Sequence, residues 1–199
     1  MSDVLKRRLI TLGLSFLPLY GVWMFGQGVW IHAKAQVAQV LLESAWSQTR
    51  QGHKEVKPWP WADTWPVGRL TVPRLGERRL VLAGASGSSL AFGPGHLFNS
   101  AAPGEAGNCV IAGHRDTHFR FIRHLKKGDH IVLENPRNKI TTYEVQALLI
   151  VDENSHRILQ QDAGNRLTLI TCYPFDAIRS GGPLRYVVIA RAVSRSVII

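Results

Sequence analysis

The sequence predicts an all-β domain, folded as a closed or nearly closed barrel, behind an apolar N-terminal helix. Three observations point there. From Val67 onward the chain is cut into short, β-branched-rich runs bounded by Gly, Pro, Asn or Asp. Long helical patterns are scarce in that part. Ahead of it, residues 9–31 contain no charged side chain.

That apolar run, LITLGLSFLPLYGVWMFGQGVWI, reaches roughly 34 Å as a helix, enough to cross a bilayer core. Pro18, Gly21, Gly26 and Gly28 would weaken a soluble helix but are tolerated in a membrane span. Lys6, Arg7 and Arg8 stand just before it and only His32 and Lys34 follow closely, so residues 1–8 are expected in the cytoplasm. Trp23 and Trp30 lie toward the far end, where interfacial anchors belong. Ala33-Lys34-Ala35 has the A-x-A form of a signal-peptide cleavage site, but the apolar run exceeds the ~7–15 residues of a signal h-region. The reading is an uncleaved, single-pass anchor in the inner membrane. With either processing, residues 36–199 lie outside the cytoplasm, in the periplasm or its equivalent.

Residues 32–66 read as a helical stalk and a strap. Val37, Val40, Leu41, Ala45 and Trp46 fall near 3.6 spacing, which predicts a helix over 33–50. The spacing fits a stalk lying against the domain or a plain continuation of the anchor. Residues 52–66, GHKEVKPWPWADTWP, hold three prolines and three tryptophans and predict an extended strap pinned by aromatic rings.

The domain proper is expected over 67–199. Its strand-like runs are 69–72, 79–83, 108–112, 130–134, 140–151, 166–172 and 185–192. Lys126-Lys127-Gly128-Asp129 and Asn135-Pro136-Arg137-Asn138 are turn chemistry. Seven or eight strands in about 135 residues argue a barrel. The break over 84–107 has six glycines and two prolines, the size of a functional or mobile loop.

Composition narrows the function. Lys and Arg number 24 against 14 Asp and Glu, a net charge of +10. Removing residues 1–31 leaves +8 outside the cytoplasm, so the basic balance points to an anionic membrane face or envelope polymer and not to nucleic acid. Two cysteines are too few for a disulfide scaffold or a four-cysteine metal site.

Three places carry candidate chemistry. In residues 108–118, NCVIAGHRDTH, a strand runs into Gly113 and delivers His114 at its end, where a ring can face a groove for acid–base work or merely close a turn. In 167–174, LTLITCYP, a strand ends on Cys172. A free cysteine is usually inert packing, but a strand-end position beside a loop suits a nucleophile. In 181–190, GGPLRYVVIA, a turn feeds a strand starting at Arg185. That strand should pair beside Cys172, giving Arg185 a route to an oxyanion or peptide carbonyl. A solvent-facing role for Arg185 is the competing reading, and Arg179 is the local alternative.

The order His114, Cys172, Arg185 resembles the sortases. TLITC followed by RYVVIA is similar to the sortase signature TLxTC…R, AGHRDTHF looks like the sortase histidine segment, and LAFGPGHL resembles the segment before it in class D and related enzymes. With the PWPWADTWPVGRL strap, the whole looks most like the class D-like sortases of Gram-negative bacteria. The resemblance covers about residues 60–192. It implies an eight-stranded sortase barrel with short helices, and cysteine transpeptidation at an LPxTG-like sorting signal with an amine acceptor. It implies Cys172 as nucleophile, His114 as general acid and base, and Arg185 as stabiliser of substrate or oxyanion. Thr171, Tyr173, Asp116 and His118 are candidates for lining the substrate site. It implies no cofactor and no metal, and no acidic cluster stands out that would carry the calcium of some relatives. Cys109 and His118 depart from the pattern.

Four rivals remain in view. A Cys109–Cys172 disulfide needs Cα atoms within about 7 Å, but five strand residues put Cys109 roughly 16 Å from the end that carries His114. A zinc site from Cys109, His114, His118 and Cys172 would need a helix at His114, which Gly113 disfavours. A non-catalytic, membrane-tethered β module would use the basic stretch Arg115, Arg120, Arg123, Lys126 and Lys127 to bind a wall polymer or protein partner. The competing reading of that stretch is a solvated surface. An L,D-transpeptidase places a His-Gly pair before its cysteine, and Ile170-Thr171-Cys172 does not fit.

Overall fold

The structure, a computed structural model, describes residues 3–160, 164–177 and 181–193, without the side chains of 3–15, 19, 31, 156 and 157. It divides into two compact units, residues 1–40 and 41–199. One continuous helix, α1 (Asp3–Arg50), makes up the described part of the first unit and enters the second. The anchor run and the helical half of the stalk are thus one element, with Pro18 inside it.

Within the first unit, Phe16, Leu17, Trp23, Phe25 and Trp30 are exposed, and the Lys34 ammonium lies 5.5 Å over the Trp30 ring. Among the described residues, no helix is long and apolar enough to cross a membrane.

The second unit is a closed barrel of eight strands in the order β1-β2-β3-β4-β7-β8-β6-β5. These are β1 (Pro66–Val72), β2 (Glu77–Ala83), β3 (Gly95–His96), β4 (Gly107–Ala112), β5 (His130–Glu134), β6 (Ile140–Asp152), β7 (Asn165–Tyr173) and β8 (Leu184–Ala192). A short helix α2 (Gly87–Leu90) and three 3₁₀ turns, at 73–75, 120–124 and 156–159, fill the connections. The β2–β3 and β4–β7 pairs are parallel and the other six are antiparallel. Period-2 burial is clean in β1, where Leu70 and Val72 face inward to meet Ile111, Leu133, Tyr143, Leu167, Leu169 and Val188 in one core.

Seven of the eight strands fall on the runs predicted from sequence, each lengthened at one or both ends or matched outright. The eighth, β3, lies inside the glycine-rich break. It exists because the backbone of Gly95 packs directly on the Gly84 carbonyl, where any Cβ would collide. The rest of the break is α2 and loop.

The last turns of α1 lie on the outer face of β2. Leu42 and Trp46, both fully buried, pack on Leu80 and Leu82, with Phe92 alongside. Arg69 pairs with Glu43 and stands 5.6 Å over the Trp46 ring, while Arg50 donates to Asn138 at 2.6 Å and pairs with Glu134 at 3.1 Å. In the strap, Trp59 packs edge-on to Phe92 at 4.8 Å, but Trp61 is 81% exposed and pins nothing.

Candidate active site

The site grows from the parallel pair β4–β7. Ala112 lies beside Ile170, the last matched pair of the two strands. Two hydrogen bonds carry the register onward: the Gly113 amide donates to the Ile170 carbonyl at 3.1 Å, and the Thr171 hydroxyl donates to the Gly113 carbonyl at 2.7 Å. The next residues along each strand are His114 and Cys172, which therefore come level. On the other side of β7, Arg185 of β8 is the direct partner of Cys172. Adjacent strands are ~4.8 Å apart, so Cys172 and Arg185 on two neighbouring strands come level with His114 just past the end of a third.

Burial shows which way they face. Leu167, Leu169 and Thr171 are buried, while Cys172 between them and the loop is half-buried, as is Arg185; His114 is exposed. Directly opposed residues share a face, so the Cys172 thiol and the Arg185 side chain rise together. The guanidinium of Arg185 is held by the Gly182 carbonyl at 2.5 Å, the Leu184 carbonyl at 3.0 Å and the Glu153 carboxylate at 2.5 Å. Glu153 is itself tied to this corner by its amide, which donates to Pro183 at 2.7 Å. A thiol, an imidazole and a guanidinium in one row can perform acyl transfer: attack, proton transfer and oxyanion support.

The Sortase domain family model matches residues 70–193 of this chain, a span that starts in β1 and contains all three side chains. The chain belongs to the sortase family. Among curated relatives, Sortase D of Bacillus subtilis is 34% identical over 128 residues, 64% of each chain. Sortase A of Listeria monocytogenes is 33% identical over 110 residues, covering 53% of this chain and 49% of the relative. The matches thus span about half to just under two thirds of these relatives' lengths. Among solved structures, a Sortase D5 transpeptidase of Clostridium perfringens superposes with a TM-score of 0.64 at 25% identity, covering 80% of this chain and 99% of that one.

In this sortase the two cysteines are free. Cys109 sits beside Leu167, five residues down β7 from Cys172, wholly buried, with its thiol pushed up to about 12 by burial. It is neutral packing.

The four candidates for lining the substrate site separate. Thr171 is buried and its hydroxyl is spent on Gly113, so it joins the two strands and does not face a groove. Tyr173 belongs to an aromatic trio with Phe175 and Tyr186, ring centroids 6.2 and 6.3 Å away, beside the end of β7. Asp116 is exposed, and its hydrogen bonds from Arg115 hold its carboxyl below the usual carboxylate range, with the nearby charges of His114 and Arg120 assisting. His118 leans the other way, with Nε2 3.3 Å from the Ala91 carbonyl just past α2, and burial lowers its imidazole below the usual value. Arg179, the alternative to Arg185, lies outside the described residues.

Sequence reasoning missed Glu153, Phe175, Tyr186 and the real place of Arg115. The basic stretch it joined is exposed at Arg120, Arg123, Lys126 and Lys127, but Arg115 is only 6% exposed. Its Nη1 donates to the Pro174 carbonyl at 2.7 Å, its Nη2 to the Ala177 carbonyl at 2.9 Å, and its Nε to Asp116 at 2.8 Å. No local signal marks it, because the two carbonyls that bury it lie some sixty residues away.

Proposed function

We propose that this sortase is a membrane-anchored cysteine transpeptidase that cleaves an LPxTG-like sorting signal and passes the acyl fragment to an amine. The observation that carries the reading is the shared level of His114, just past the end of β4, with Cys172 and Arg185 on β7 and β8. The Cys172 thiol passes its proton to His114 as its sulfur attacks the scissile carbonyl, and the Arg185 guanidinium donates to the oxyanion that forms. His114 gives a proton to the departing amine as the C–N bond breaks, leaving a thioester on Cys172. An incoming amine, deprotonated by His114, attacks that thioester; a new amide forms and the thiol is released.

The anchor reading is supported by the uncharged run 9–31, the preceding Lys6, Arg7 and Arg8, and the large apolar side chains left exposed on α1. It places residues 1–8 in the cytoplasm and the barrel outside the plasma membrane. The class D-like segment LAFGPGHL and the histidine segment AGHRDTHF, with the Trp/Pro strap, support assignment to the Gram-negative class. The substrate is then a protein with a C-terminal sorting signal, with an apolar segment and basic tail after it.

Mass spectrometry of the protein mixed with LPxTG-like peptides tests this. The expected result is a thioester adduct on Cys172, absent from Cys172→Ala. A parent protein that forms no adduct with any motif variant would sink the reading, and a Cys172→Ala chain that keeps the cellular phenotype would point to a binding module.

A further inference from the structure

Arg115 follows His114 directly, and among the described residues it is the one lysine or arginine that is buried. A buried guanidinium is tolerated only when its donors are satisfied, and here all three nitrogens have acceptors. Two of those acceptors are Pro174 and Ala177, the second and fifth residues after Cys172. The remaining contact is a two-pronged pairing with exposed Asp116, at 2.8 and 3.1 Å. The side chain therefore bridges the turn that carries His114 and the connection that leaves Cys172. The strand hydrogen bonds end at Gly113 and Thr171, one residue short of the reacting groups on either side. Past that point, Arg115 is the cross-tie between the two segments.

We propose that Arg115 is a positioning residue of the transpeptidase reaction, its planar fork locking the His114 turn to the Cys172 exit loop so that imidazole and thiol keep a reactive separation. The proposal rests on Cys172 and His114 acting as described above. It deepens that reading by naming what holds the pair in place. Charge alone does not serve: a lysine ammonium is a point donor and cannot bridge two carbonyls and a carboxylate in one plane. Electrostatics agree with the geometry: the hydrogen bonds to Asp116 do most to favour the Arg115 charge, and Cys172 and Asp176 add to it. Arg123 reaches the same loop from the exposed side, 3.3 Å from Asp176 and 5.4 Å over Phe175, and serves as the surface comparison.

The experiment measures single-turnover acylation of Cys172 by an LPxTG-like peptide, with kcat and KM, in the parent, Arg115→Met, Arg115→Lys and Arg123→Met. Loss of roughly an ångström of alignment costs about 100-fold, so Arg115→Met should acylate about 100-fold more slowly with KM changed less than about threefold. Arg115→Lys should recover part of that loss, and Arg123→Met should stay within about threefold of the parent. Arg115→Met acylating at the parental rate, or losing only through KM, overturns the proposal. If the methionine variant does not fold, Arg115→Lys decides: a folded protein at least about tenfold slower supports it, and a parental rate overturns it. A parent that never acylates defeats the transpeptidase reading itself, a result distinct from a parent and an Arg115 variant that acylate equally.

Discussion

Replacing Gly113 with alanine tests how the His114 turn is held. A Cβ at this position would stand 2.7 Å from Cγ of Phe119, 2.8 Å from Cδ2 and 3.1 Å from Cδ1. Carbon atoms in contact sit ~3.5–4.0 Å apart, so the ring must retreat by roughly 1 Å. Phe119 has no exposed surface and meets Phe121 edge-on at 5.9 Å, so the barrel has little room to give. Overpacking of this kind costs about 1–3 kcal/mol. At roughly 4 °C per kcal/mol for a domain of this size, the unfolding midpoint should fall by about 4–12 °C. The Phe119 amide also donates to the His114 carbonyl at 3.0 Å, so moving the ring drags the turn that presents the imidazole. Acylation should drop about 100-fold, more than the stability loss alone explains at a temperature where the variant is folded. Adding Phe119→Leu to Gly113→Ala should restore part of both, a coupling the two single changes would not predict by addition. Thermal melts by circular dichroism and peptide cleavage at 25 °C read both quantities. A Gly113→Ala protein that melts within 1 °C of the parent and cleaves at its rate refutes the steric argument, as does strict additivity in the double variant.

Three further expectations concern other parts of the molecule. Trp46→Ala should lose about 3–5 kcal/mol, read as a lowered melting temperature, because the indole is fully buried against Leu42, Leu80 and Leu82; a loss under 1 kcal/mol would mean the helix end does not dock. Asp129 is held below the usual carboxylate range chiefly by its hydrogen bonds to Arg74, at 2.6 Å to each oxygen. Its stabilising effect is present above the unfolded value of about 3.9 and fades as pH falls through the lower folded value. Asp129→Asn should therefore be less stable than the parent in urea melts at pH 7, with the gap closing toward pH 3; a gap independent of pH would contradict this. Arg185→Ala should lose about 100- to 1,000-fold in acylation, as expected for removal of an oxyanion donor, and Arg179→Ala far less. Equal losses would move the role away from β8.

Most of the barrel was legible because its strands carry their own signal. Arg69 to Val72 and Ile140 to Val151 alternate or run β-branched between turn residues, and they fold as read. β3 carries no such signal: it is two residues, Gly95 and His96, and its pairing is decided by the backbone approach to Gly84. The helix over 33–50 was legible from its spacing, but its docking depends on Leu80 and Leu82, forty residues on. At the site, the strand ends offered His114, Cys172 and Arg185 as candidates, and the resemblance to the sortases joined them as a trio. Arg115 escaped because it was grouped with the exposed cations Arg120, Arg123, Lys126 and Lys127 that follow it, while the carbonyls that bury it lie beyond Cys172. Thr171 was read as facing substrate, yet strand alternation turns it inward once Cys172 faces out.

The parallel pairing of β4 and β7 separates His114 from Cys172 by 58 residues of chain while bringing them level at the ends of neighbouring strands. Between them the chain must fold through β5 and all of β6 before β7 can add beside β4. The chemistry is thus gated by long-range loop closure, a late and slow class of event in folding. A nascent or partly unfolded chain exposes a cysteine but has no histidine beside it. Catalytic competence in this fold is a readout of the finished barrel, and refolding followed by thioester formation should lag behind refolding followed by the burial of Trp46 on β2.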